Sequence, residues 1–258
     1  PTSVNTIDYI TFTSIGNGTD FGDLTVARSD GQGFSSSTRG VAGGGKANPD
    51  NSRTNVMDYV TIASTGNATD FGDLLAARNR QAGIGSTVRG VFGGGYAPSI
   101  DNVMQYVTIA STGNAQDFGD LSQARALISG TSNSLRGIFT GGISPSRVNT
   151  IDFGTFESGG TLADFGDLVE VSFAPAGCSP LAGGIDQSFP REPELHSPTG
   201  RPLSSGLEIG QLGVNAGGED GSNIDVISYV TIDTTGNARD FGDLSAAQSY
   251  AMGAGSSS

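Results

Sequence analysis

The chain has 258 residues, 35% hydrophobic and 15% charged, with 41 glycines and a formal net charge of -13 from 13 basic against 26 acidic residues. That length suits one large all-β domain or two small ones. The acidity repels phosphate backbones and argues against nucleic acid and anionic lipid as partners, and no stretch approaches the ~20 apolar residues of a bilayer span.

In chain order, the first predicted element is a strand over Asn5 to Phe12, where Ile and Tyr alternate with polar residues. A Gly/Asn turn and the pentapeptide Asp-Phe-Gly-Asp-Leu at Asp20 to Leu24 follow. Next come Ala27-Arg28, a stretch of small residues, and Arg39 to Gly45, which ends in a glycine run. The order then repeats. Further strands of the first kind are Asn55 to Ile62, Asn102 to Ile109, Asn149 to Phe156 and Asp225 to Ile232. The pentapeptide recurs with its phenylalanine at Phe21, Phe71, Phe118, Phe165 and Phe241, at spacings of 50, 47, 47 and 76. The last spacing exceeds 47 by 29 residues, which places an insertion between about Ser172 and Gln211. A fixed period of this size signals a repeat architecture. Each unit supplies four short strands: a small-residue strand, one ending in Gly-Gly, the Tyr-bearing strand, and one ending in the pentapeptide.

Four strands in about 47 residues is the unit of a β-propeller blade. Gly94-Gly95, Tyr106, Phe118, Leu121 and Arg125 resemble the kelch repeat, with Phe standing where that family usually carries Trp. The resemblance covers nearly the whole chain outside the insertion. It implies an all-β, five-bladed kelch-like β-propeller with a repeat of about 47 residues. Full blades are expected over 31–74, 82–121, 127–168 and about 172–244, and the last blade is formed from both termini, by Asn5 to Leu24 and Ser249 to Ser258. Residues 1–258 then form one domain, with a Pro-rich insertion loop over 183–207 in the fourth blade. The missing Gly-Gly strand of the fifth blade leaves three alternatives: a three-stranded blade, a strand from a neighbouring chain, or a longer native chain. The phrasing Asn-Val-x-x-Tyr-Val-Thr-Ile-Ala-Ser-Thr-Gly-Asn-Ala also resembles kelch-like virion proteins of tailed phages, notably of marine cyanobacteria. That resemblance implies a structural role on a virus particle.

Several motifs invite a chemical reading. Asp-Phe-Gly matches the kinase tripeptide in letters only, because no phosphate loop, strand Lys or His-Arg-Asp accompanies it. The paired aspartates, Asp70/Asp73 and their counterparts, suit turn formation through side-chain acceptance of amide bonds, with calcium ligation as the alternative. Arg39, Arg89 and Arg136 are candidate channel arginines for an anionic ligand; against this stands pairing with the repeat aspartates between blades. The fourth unit lacks them, having Leu212 there. Glycine runs such as Gly93–Gly95 lack the Lys-Ser/Thr of a phosphate loop. One Cys (Cys178) and one His (His196) exclude an internal disulfide and cannot fill a zinc site, so no metal, cofactor or catalytic residue is assigned. In the insertion, Phe189, Arg191, Glu192, Glu194, Leu195, His196 and Arg201 stand out from a Ser/Thr/Gly background and form the candidate partner-binding element. The first residues show no basic run followed by an apolar one, so no secretory signal is expected.

The expectation is therefore a non-enzymatic structural and adhesion protein of a virion. It would be made in the host cytoplasm without a signal peptide and be present in multiple copies. Its partners would be other virion structural proteins and a host surface glycan, without nucleic acid or membrane insertion. A lectin or carbohydrate-active propeller is the alternative.

Overall fold

The computed structural model describes residues 3–11, 15–178 and 212–248. Among them there is no helix, and the strands form five four-stranded antiparallel sheets with one short hairpin besides. Four of the sheets share one plan. In the second sheet, Gln32–Ser35, Arg39–Gly43, Val56–Thr61 and Thr69–Asp73 lie side by side in chain order. The third has Ala82–Gly85, Arg89–Gly93, Val103–Thr108 and Gln116–Asp120. The fourth has Ser129–Ser132, Arg136–Thr140, Thr150–Thr155 and Ala163–Asp167. The fifth has Ala176–Cys178, Leu212–Ala216, Ile224–Thr231 and Arg239–Gln248. This is the strand order expected from the repeat, and the insertion joins the first two strands of the fifth sheet.

The first sheet departs from the plan. Two long strands, Val4–Tyr9 and Thr19–Ser29, pair with each other. The remaining two are two-residue strands, Lys46–Ala47 and Ser52–Arg53, which belong to the chain between the second and third strands of the next sheet. The expected contribution of Ser249 to Ser258 lies outside the described residues. The short strands are one case of a general link: Ser29 pairs Lys46, Asn79 pairs Tyr96, Ala126 pairs Ile143 and Phe173 pairs Glu219. In each, the residue following the Gly-Gly pair reaches back to the end of the preceding sheet.

The small residues have a steric origin. The first strands of adjacent sheets pack backbone on backbone, so that a Cβ on Gly83 would lie 2.5 Å from the Gly33 carbonyl oxygen. The first glycine of each Gly-Gly pair is left-handed, and a Cβ at Gly94 (φ 62) would lie 2.4 Å from the Arg125 carbonyl oxygen. No L side chain fits both constraints. The core accordingly sits between sheets. Phe34, Phe71, Phe92 and Ile109 join the second sheet to the third, Ile84, Phe118, Phe139 and Phe156 the third to the fourth, and Ile138, Phe165 and Ile232 the fourth to the fifth.

Candidate functional site

The repeat's most regular chemistry lies at the joints between sheets. The pentapeptide lies on the last long strand of one sheet, and the turn before the corresponding strand of the next sheet, Thr-Gly-Asn-Ala at most joints, clasps it. At the second joint Gly113 N–H donates to the Phe71 carbonyl (2.7 Å), Ala115 N–H to the Asp73 carbonyl (2.8 Å), and Asp73 N–H to Asn114 Oδ1 (3.0 Å). The first joint repeats this with Gly66, Ala68 and Asn67 on Phe21 and Asp23, and the fourth with Gly236, Ala238 and Asn237 on Phe165 and Asp167. At the third joint Thr161 replaces the asparagine, and Asp120 N–H donates instead to the Gly160 carbonyl at 3.2 Å. The pentapeptide glycine permits this approach, since a Cβ on Gly72 would lie 2.5 Å from the Gly113 carbonyl oxygen. The first aspartate of the motif accepts a main-chain amide, as expected, but at an irregularity within a strand and not in a turn: Gly72 and Gly119 N–H donate to Oδ1 of Asp70 and Asp117 at 3.3 and 3.1 Å.

Two sets of arginines cross the same joints. Arg28 pairs Asp58 at 2.5 Å and Arg125 pairs Asp152 at 2.6 Å, every side chain almost fully buried. Burial pulls both guanidinium pKa values down, and the facing carboxylate opposes the shift. Arg78 lacks this partner because Gln105 occupies the corresponding place, so it pairs the more accessible Asp101 at 3.2 Å. Pairing between sheets was expected, but with the pentapeptide aspartates; the carboxylates used are those of the third strands and of the loop at Asp101. Of the pentapeptide aspartates, the first accepts the amide of the motif glycine and the second enters the clasp through its main chain.

Arg39, Arg89 and Arg136 donate to main-chain carbonyls of the following sheet: to Ile109 at 3.0 Å, to Phe156 at 2.5 Å and to Asp233 at 2.8 Å. Each also lies over an aromatic ring of its own sheet, with Arg39 4.6 Å from the Tyr59 centroid, Arg89 5.0 Å from Tyr106 and Arg136 5.4 Å from Phe153. None of the three is among the lining of the cavity at which the five sheets meet. That cavity, of about 670 Å³, is bounded by Thr6 and Leu24 of the first sheet and by first-strand residues of the other four, including Phe34, Ile84, Thr131 and Cys178. Burial pushes the Cys178 thiol up from its ordinary pKa, which disfavours the nucleophilic thiolate. Among the described residues no group of three or more His, Cys, Asp or Glu side chains is gathered for a metal ion. No helix among the described residues is long and apolar enough to cross a membrane.

Phe189, Arg191, Glu192, Glu194, Leu195, His196 and Arg201 lie outside the described residues. Their anchors are defined: the segment leaves after Cys178 and returns at Leu212, which faces Thr231 beside the turn that clasps the preceding sheet. Sequence reading missed the clasp itself, because Asn114 and Asp73 are 41 residues apart. The signal that could have found it is the joint recurrence of Gly-Asn-Ala and Phe-Gly-Asp. Against known proteins, the chain matches no family model and no curated sequence.

Proposed function

We propose that this chain is a non-enzymatic structural and adhesion module of a tailed-phage virion, built as a five-bladed kelch-like propeller whose last blade combines both termini. The observation that carries the reading is the use of the repeat's polar residues: arginines, aspartates and turn asparagines join one sheet to the next across the clasp. A scaffold that spends its recurrent chemistry on internal joints leaves recognition to what breaks the repeat, namely the insertion and the incomplete first sheet. The resemblance to kelch-like virion proteins supplies the setting, with other virion proteins as partners. The test is mass spectrometry of purified particles together with deletion of residues 185–205. The reading expects the protein in virions and its loss from them on deletion; recovery only as a free cellular protein overturns it.

A glycan-binding reading is favoured by one observation. The cavity is of ligand size, and its lining includes Ser35, Ser129, Thr131 and Ser132 beside apolar residues. Saturable binding on a glycan panel, lost on filling the cavity by Ser129→Phe, is its expected result.

A further inference from the structure

The first sheet carries the core-facing pattern of a complete sheet without the strand that covers it elsewhere. In the second to fifth sheets the third strand, which carries Tyr59, Tyr106, Phe153 or Tyr229, is paired on both edges, by the Gly-Gly strand and by the pentapeptide strand. Among the described residues, Val4–Tyr9 is paired only with Thr19–Ser29. Corresponding residues differ in exposure accordingly. Ile10 is 60% exposed where Val107 and Val230 are 4% and 3% exposed, and Asp8 is exposed where Asp58 and Asp152 are fully buried. Tyr9 keeps its edge-to-face contact with Phe21, as Tyr59 does with Phe71, but has no described cation over its ring.

We propose that the free edge of Val4–Tyr9 is an acceptor for an extended Arg-Gly-apolar-x-Gly strand of a separate polypeptide, which completes the sheet by main-chain hydrogen bonding. This rests on the assembly reading above and names the partner's chemistry. The internal copies fix its register: Arg39 faces Thr61, Gly40 Val60, Val41 Tyr59, Ala42 Asp58 and Gly43 Met57, and the same pairing holds for Arg89 to Gly93 and Arg136 to Thr140. The donor therefore places its arginine opposite Thr11, glycine opposite Ile10, the apolar residue opposite Tyr9 and the second glycine opposite Ile7. The aromatic ring agrees with the register: Tyr9 is the counterpart of Tyr59, Tyr106 and Phe153, the rings that the three internal arginines of this strand cover. A second copy is excluded as donor by the same pairing data: each of its Arg-Gly strands is already held on both edges and could be donated only by dismantling a sheet.

The test uses the full chain and a fluorescent, end-blocked peptide of sequence Thr-Arg-Gly-Val-Ala-Gly-Gly-Gly, read by anisotropy. Saturable binding is expected, weakened about threefold or more when the peptide arginine is alanine and abolished when its alanine, the counterpart of Ala42 in its hydrogen-bonded pair with Asp58, is proline, which removes a ladder donor and fixes φ. Hydrogen exchange should show new protection over Val4 to Thr11. Equal binding of a scrambled peptide overturns the proposal, as does no binding up to about 1 mM, an affinity worth only ~4 kcal/mol. Binding that arises only after removal of residues 249–258 also overturns it, because the edge would then belong to the chain's own C-terminal segment. Failure here with the protein still found in virions rejects the acceptor edge and leaves the assembly reading standing; absence from virions with peptide binding intact does the reverse.

Discussion

The four internal joints and the two ends of the array are written in the same residues but meet different surroundings. Phe71, Phe118 and Phe165 are 2%, 7% and 3% exposed because the following sheet's turn folds over them, whereas Phe241, in the same pentapeptide, is 65% exposed. Gly242 has the φ of Gly72 (138° against 136°), yet among the described residues a Cβ on Gly242 would meet nothing where one on Gly72 would strike a carbonyl. At the other end, the Gly16-Asn17-Gly18 turn is exposed and has no described outer strand to clasp. The repeat thus encodes both halves of a joint in every unit, and a neighbour decides whether they are buried. Burial here is a property of the array, and composition alone does not carry it.

The largest effect that would break this comparison comes from the aromatic rings. Phe71→Ala or Phe165→Ala should cost about 3–5 kcal/mol by removing a fully buried ring, while Phe241→Ala should cost well under 1 kcal/mol. Chemical denaturation of the three variants decides it, and an equal loss at Phe241 would mean that its ring is covered in solution. Smaller, and more discriminating, is the glycine pair. Gly72→Ala and Gly242→Ala share the cost of an unfavourable φ, so their difference isolates the clash with the Gly113 carbonyl. Gly72→Ala should be the more destabilising by roughly 1–3 kcal/mol. Third in size is the clasp asparagine: Asn114→Ala should cost about 1 kcal/mol through the lost bond to Asp73 N–H, and Asn17→Ala close to nothing. A matching loss at Asn17 would show the terminal turn to be engaged.

How much of this was legible beforehand follows from the range of the interactions. Strand order within a sheet could be read because period-2 alternation, Gly-Asn turns and glycine runs are local signals that the repeat states several times over. The ion pairs could not be assigned so readily. Arg28 and Asp58, or Arg125 and Asp152, lie some thirty residues apart in sequence, and the pentapeptide aspartates were the more conspicuous acids. The informative signal was an acid set among apolar neighbours on the third strand, as in Val56-Met-Asp-Tyr-Val, where both faces of the strand prove to be covered. The candidate arginines Arg39, Arg89 and Arg136 were rightly seen as a repeating set, but their carbonyl acceptors on the next sheet depend on how sheets stack, and no local pattern encodes that.

The smallest predicted effect concerns the one joint where the ion pair is displaced. Gln105 stands where Asp58 and Asp152 stand elsewhere, its Oε1 accepts from Leu75 N–H, and Arg78 turns to Asp101. Burial raises the Asp101 pKa above its ordinary value, and Arg78 only partly opposes this. The folded state therefore holds the Asp101 proton more tightly than the unfolded chain does. The resulting stabilisation is present below pH 3.8 and is lost as pH rises through the raised folded value. Asp101→Asn removes this dependence. Comparing thermal midpoints at pH 3.5, 4.5 and 5.5, the wild type should lose ground against the variant as pH rises. The opposite slope would mean that Arg78 dominates and that the displaced pair behaves as an ordinary stabilising bridge, in which case Gln105 would cost this joint nothing relative to its neighbours.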